Sequence, residues 1–395
     1  MNQASPAIPQ STKKKSRWLS NLFIGLVGVL LLAGLASFVS NIGFPPPPEP
    51  TDTLSRTQYA LLDEATHLRQ SLGDAVFPGW GAMEIPIVVY NEQFAFLVGL
   101  DDPQPGWVMY PRDHHRGGEW QRVTSENGQN YHRARIEDPE KTPENFVVQI
   151  GEEIVASFQT HNYAINNLHS MMYAELPPLV RDVFPYRLFL SHLVALPEAY
   201  LSGLFHESFH VFQAVNNPSA FKSAELSVSL ATNYPFDDDQ LSLDWKEELK
   251  ILSQAASLTN REDALRLAGE FLAIREQRRA EANLSSSQVM LERKREWLEG
   301  LAKYAELELG RQAALTRFQP LAETSQLTGL KTYGSRQGFW KTQLESMDTT
   351  HFGGETLFYY SGFAQAVLLD QLLPGWKTRA IQGEYLEDLI SSGLQ

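Results

Sequence analysis

The chain has 395 residues, with 33 basic and 47 acidic side chains, a formal net charge of −14 and no cysteine. The missing thiols exclude disulfides, thiol catalysis and cysteine-built zinc sites, leaving His, Asp and Glu as possible metal ligands. The acidic balance argues against nucleic acid as a partner.

Residues 1–17 read as a basic tail carrying Lys13, Lys14, Lys15 and Arg17, and residues 18–42 as a membrane anchor. From Leu22 to Val39 there is no charge, and as a helix such a run spans about 27 Å, close to the hydrocarbon thickness of a bilayer. The positive-inside rule then puts the N-terminus in the cytoplasm and the rest of the chain outside, a single-pass cell-membrane protein. A cleaved signal peptide ending near Ala36 is the competing reading; the apolar run is long for one. Residues 43–53, with GFPPPPEP, read as a stiff extended spacer. Without the first 17 residues the balance is 29 basic to 47 acidic, or −18.

Residues 54–395 are long enough for one large domain, with a sheet-containing part at about 80–180 and a helical part at about 181–395. Leu54–Leu72 has helical spacing of Tyr59, Leu62, Ala65 and Leu68. Strands are expected near Ile85–Tyr90 and Phe94–Leu100, with a hairpin of Asn145–Ile150 and Glu153–Gln159 about Gly151-Glu152. Between the two pairs, PRDHHRGGEWQRVTSENGQN is polar and turn-rich, and His114 and His115 are read as loop residues.

Next comes LSGLFHESFHVFQAV, containing His206-Glu207-Ser208-Phe209-His210. Phe205, Phe209 and Phe212 recur at i, i+4 and i+7, and Asn216-Asn217-Pro218 supplies a stop, so a helix is predicted over about Glu198–Val215. On it, His206 and His210 lie one turn apart on one face and can reach one metal ion, with Gln213 on the same stripe. Glu207 is placed to take a proton from a water at the metal's open position. The alternative is an amphipathic helix with histidines hydrogen-bonded in a core.

Further on, Asp237–Asp239 lie in a predicted loop, and three helical stretches follow at Asp244–Ser257, Arg261–Ala282 and Ser286–Arg311. The last contains Trp297-Leu-Glu-Gly-Leu-Ala-Lys-Tyr-Ala-Glu306. This segment closely resembles the W-L-x-E-G-L-A-x-Y-x-E signature of the peptidase-MA-like gluzincins, a family of zinc metallopeptidases. Here the Trp-Leu pair runs straight into Glu299 without the intervening residue. The resemblance covers two short windows. It implies an α+β, helix-rich, zincin-like domain, with Glu299 as third zinc ligand beside His206 and His210.

Gly300 allows close helix approach at that ligand. Glu306, two turns beyond Glu299, is a candidate to hold a ligand histidine from behind, and Tyr304 is a second candidate near the site. The implied chemistry is attack of an activated water on a peptide carbonyl with Glu207 as base. Tyr359 and Tyr360 are candidate oxyanion donors, as are His351 and Tyr304, with core packing the alternative for each tyrosine. The expectation is a zinc peptidase acting on peptides or proteins. A non-catalytic binding or scaffold protein, and a zinc hydrolase of non-peptide amides or esters, are the alternatives. The C-terminal part is predicted helical from about Gly354 and again from Glu384.

Overall fold

Helix α1 (Arg56–Val76) starts where the Ser55 side chain accepts from the Gln58 amide, and it buries Leu61, Leu62, Ala65 and Leu68. The computed structural model describes residues 32, 34–47, 52–112, 115–125, 128–137, 142–347 and 353–395.

After α1 comes an eight-stranded sheet: β1 (Ile87–Tyr90), β2 (Phe94–Val98), β3 (Trp107–Met109), β4 (His115–Arg116), β5 (Gln121–Thr124), β6 (Asn130–Arg135), β7 (Phe146–Ile150) and β8 (Glu153–Gln159). Its order is β4-β3-β7-β8-β1-β2-β6-β5, and it curls into a half-barrel. Neighbours are antiparallel except β1 and β8, which run parallel. Both faces of the central strands are covered. Ile87, Val89, Phe96, Val147 and Ala156 join the main core, whereas Val88, Leu97, Val148 and Val155 pack with Trp107 in a second one. Alternate residues of a strand point to opposite faces, which is why IVVY and FAFLV read as continuous apolar runs.

The expected strand pairs are present, but the polar stretch between them is not a loop. It supplies β4 and β5, and the sheet has twice the strands predicted. β4 and β5 are the two edges, and most of β5 is exposed, so neither carries the apolar alternation that reveals a half-buried strand. His115 thus lies in a strand, while His114 falls outside the described residues.

Helix α2 (His161–Glu175) follows β8, then two short helical turns, and then α3 (Pro197–Asn216), which carries both histidines of the pentapeptide. Gly203 lets α3 sit close on the sheet: a Cβ there would lie 2.4 Å from Phe158 Cζ of β8. The chain continues through α4 (Pro218–Leu226), α5 (Asp239–Ser257), α6 (Arg261–Glu281) and α7 (Ser286–Arg295). Asp238, exposed in the loop, caps α5, accepting from the Leu241 amide at 2.8 Å. Asn260 caps α6, and Ser285 with Gln288 forms a capping box on α7. A π turn, Glu296–Gly300, joins α7 to α8 (Leu301–Leu315). Then come α9 (Ser335–Glu345), α10 (Thr356–Leu372) and α11 (Leu386–Gly393).

Four of these helices and the π turn are joined by a buried ionic network. Arg275 of α6 donates to Glu248 of α5 at 2.9 Å, to Glu296 of the π turn at 2.9 Å, and to Ser361 of α10 at 2.7 Å. Arg278 reaches Glu248 at 2.6 Å and Glu292 of α7 at 2.7 Å. The paired carboxylates compensate the burial of these guanidinium groups, which are almost fully out of solvent.

The N-terminal expectation is overturned. Among the described residues no helix is long and apolar enough to cross a membrane, so the single-pass anchor, and the cell-membrane sidedness drawn from it, do not stand. Residues 34–40 are helical, but the helix gives way to a turn at Asn41. There the Asn41 amide donates to the Phe184 carbonyl at 2.7 Å, and its oxygen accepts from the Arg187 N–H at 3.2 Å. The basic tail and residues 18–31 and 33 of the predicted anchor lie outside the described residues. At the start of the predicted spacer Phe44 packs edge-on against His169 of α2 with ring centroids 6.0 Å apart, and residues 48–51 lie outside the described residues.

Candidate metal centre

The site lies where α3 faces the π turn and α8. Hydrophobic positions Leu201, Leu204, Phe205 and Phe209 bury α3, so its polar stripe is held inside the protein rather than in water. His206 and His210 are 9% and 1% exposed, and Glu299 is 4% exposed. One ligand atom from each of the three lies within 4.8 Å of the others, a group that can hold a metal ion. Glu299 Oε2 is 3.2 Å from His206 Nε2 and 3.3 Å from His210 Nε2.

Behind the histidines, each Nδ1 has its own partner. His206 Nδ1 is 3.0 Å from Glu306 Oε2, and His210 Nδ1 is 2.9 Å from Gln213 Oε1. Gln213 in turn donates to the Trp297 carbonyl at 2.8 Å, tying α3 to the π turn. A side-chain partner on the far nitrogen fixes ring orientation and leaves Nε2 of both rings facing inward, as metal ligation requires. Lys303 Nζ holds the other oxygen of Glu306 at 2.5 Å.

The backbone brings Glu299 in through glycine. A Cβ on Gly300 would lie 2.4 Å from Gly362 Cα of α10, and one on Gly362 would lie 2.5 Å from the Glu296 carbonyl oxygen. The π turn and α10 therefore touch backbone to backbone, and only glycine fits on both sides. The π turn also falls where the segment departs from the gluzincin signature, at Leu298-Glu299.

Electrostatics follow the burial. Glu207 is buried and its Oε2 has no hydrogen-bond partner in the structure. Burial pushes its carboxyl up to about 8, against the pull of His206 and with the help of Glu299 and Glu306. Burial would lower His206, but the hydrogen-bonded carboxylates of Glu299 and Glu306 outweigh it and raise the imidazole to about 10. His210 is lowered, by burial above all. Burial would raise Glu299; the Arg295 cation and then His210 hold it well below the carboxylate range instead.

A cleft of about 320 Å³ opens over His206, Glu207, His210 and Glu299. Met109, Tyr110, Phe146 and Val228 give it apolar walls, and Arg112, Glu225, Arg295 and Glu355 give it charged ones. The start of β7 thus borders the same cleft as the histidine pair.

The predicted tyrosines separate. Tyr359 lines the cleft and stacks on His206, with ring centroids 5.8 Å apart and planes at 9°. Tyr360, the next residue on α10, donates instead to Gln343 Oε1 at 2.7 Å. Tyr304 is fully buried, donates to Asp370 Oδ2 at 2.6 Å and packs edge-on with Phe77 and Trp376, so it is a core residue. His351 falls outside the described residues. Arg295, Glu225 and Glu355 belong to the site without being singled out by the sequence. Of the three, only Arg295 leaves a sequence signal, its i−4 spacing from Glu299. No family model, curated protein or solved structure matches the chain.

Proposed function

We propose that the chain is a zinc-dependent peptidase of the gluzincin type, with His206, His210 and Glu299 as metal ligands and Glu207 as general base. The observation that carries this reading is the convergence of His206, His210 and Glu299 on one point beside the unpartnered Oε2 of Glu207. The donor set fits zinc. Two imidazoles and one carboxylate, each held from behind by a further polar group, are a common catalytic zinc triad with one position left open. When bound, zinc would supply Lewis acidity to polarise the scissile carbonyl and activate water.

The protein's own groups divide the remaining work. Glu207 Oε2 takes a proton from the attacking water and returns it to the leaving nitrogen as the carbon–nitrogen bond breaks. The Tyr359 hydroxyl is the oxyanion donor, since Tyr359 lines the cleft and Tyr360 does not. The apolar wall of Met109, Tyr110 and Phe146 excludes water around the substrate.

The test is hydrolysis of a mixed peptide library by wild type and Glu207→Gln. Wild type is expected to cleave, and the variant to bind zinc equally but lose about 10²- to 10⁴-fold in rate. Equal cleavage by both proteins would remove Glu207 from the reaction.

A further inference from the structure

The two oxygens of Glu299 have separate occupations. Oε2 faces both histidines, while Oε1 accepts from Arg295 Nη2 at 2.8 Å. Arg295 lies at the last position of α7, immediately before the π turn, and is only 5% exposed. Its guanidinium is bordered by two further carboxylates. Glu355 Oε2 lies 2.8 Å from Nε, and Glu225 Oε2 lies 3.6 Å from Nη1. Glu225 is fixed in turn by Arg112 Nη2, 2.9 Å from its other oxygen. A line of alternating charge thus runs from Arg112, a half-exposed side chain at the cleft mouth, through Glu225 and Arg295 to the metal ligand.

From this geometry we infer that Arg295 is a positioning residue which holds Glu299 as a one-oxygen ligand and so keeps a coordination position open for water and substrate. The inference rests on the metal-centre reading above. A guanidinium is a rigid planar fork; here Nη2 makes the hydrogen bond to Glu299 Oε1, while Glu355 and Glu225 hold the cation in place by charge without accepting from Nε or Nη1. With Oε1 engaged, only Oε2 is free to face a metal. Removing the fork frees Oε1 to turn inward, where a second oxygen would occupy the position that catalysis needs open. Glu225 and Glu355, in the cleft wall, act on the ligand through Arg295.

The full-length chain loaded with cobalt(II), whose visible spectrum reports coordination number, tests this. Arg295→Lys keeps a cation among the three carboxylates, so a role confined to buried charge balance survives it, whereas the fork is lost. The expected result is stoichiometric cobalt in both proteins, with visible absorption weaker and shifted in Arg295→Lys as the coordination number rises. Glu355→Gln removes one edge of the grip at a partly exposed residue and is expected to shift the spectrum less, in the same direction; it carries the test should Arg295→Lys not fold. Stoichiometric cobalt with a wild-type spectrum in both variants would overturn the role of Arg295 and leave the metal centre standing. Failure of the wild-type protein to take up cobalt would instead overturn the metal centre itself, and the role of Arg295 with it.

Discussion

Gly300 and Gly362 meet backbone to backbone, so close that a Cβ on Gly300 would sit 2.4 Å from Gly362 Cα. This contact presses α10, which carries Tyr359, against the π turn, which carries Glu299. Neither backbone can yield to a methyl group without moving a functional side chain. Gly300→Ala is expected to destabilise the protein by about 1–3 kcal/mol, in the range for overpacked cores. It should weaken metal binding as well. Chemical denaturation and metal titration of the same preparation check both. An unchanged denaturation midpoint would mean the helices separate without cost.

The buried guanidinium groups make a second point of weakness. Arg275 compensates Glu248 and Glu296 deep inside the helical part. Arg275→Ala should cost about 3–5 kcal/mol, because it leaves Glu296 buried with no cation beside it and Glu248 with Arg278 alone. The exposed Lys250–Glu247 pair offers the contrast. There Lys250→Ala is expected to change stability by less than about 1 kcal/mol. Urea midpoints of the two variants give the comparison.

Acid should unfold the metal-free protein through its buried, paired carboxylates. Glu292, Glu306 and Glu387 are pulled from the ordinary 4.5 to about 2, because neighbouring cations and hydrogen bonds outweigh burial. A carboxylate with a depressed folded-state pKa contributes stability that is complete above its unfolded value and lost as pH falls through the folded one. The contribution of these three carboxylates should therefore be complete above about pH 5 and fall steadily from 4.5 towards 2. At the other end, His206 is raised to about 10, so its contribution is complete below the ordinary 6.5 and disappears as pH climbs through 10. Thermal unfolding across pH 2–11 follows both limbs. A flat acid limb would contradict the placement of these carboxylates.

Tyr359 and Tyr360 are adjacent in sequence but face different surroundings, and their substitution should separate cleanly. Tyr359→Phe is expected to retain metal and lower kcat by about 10²- to 10³-fold, the effect of losing an oxyanion donor. Tyr360→Phe, which loses a hydrogen bond to Gln343, should leave kcat nearly unchanged. Steady-state kinetics on one peptide substrate compares them.

The site was legible in the sequence where local spacing controls geometry. The i, i+4 histidines needed only a helix, and the apolar stripe of Phe205, Phe209 and Phe212 announced it. Glu306 was legible for the same reason, through its helical spacing from Glu299. Tyr304 was not, because packing among Phe77 and Trp376 decided which way its hydroxyl points. Glu225 and Glu355 come from α4 and the start of α10 and meet Arg295 only through the tertiary fold. The edge strands β4 and β5 were hidden by their polarity. The anchor expectation rested on hydropathy alone: most of Leu22–Val39 lies outside the described residues, and among those described no helix is long and apolar enough to cross a membrane.

The most direct test of the metal centre is the zinc content of the full-length chain after purification without added metal, for wild type, Glu207→Gln and Glu299→Ala. The account predicts about one tightly bound zinc per chain in wild type and in Glu207→Gln, and loss of tight binding in Glu299→Ala. Wild-type protein free of zinc and unable to bind it, or Glu299→Ala retaining it as firmly as wild type, would contradict the proposed site.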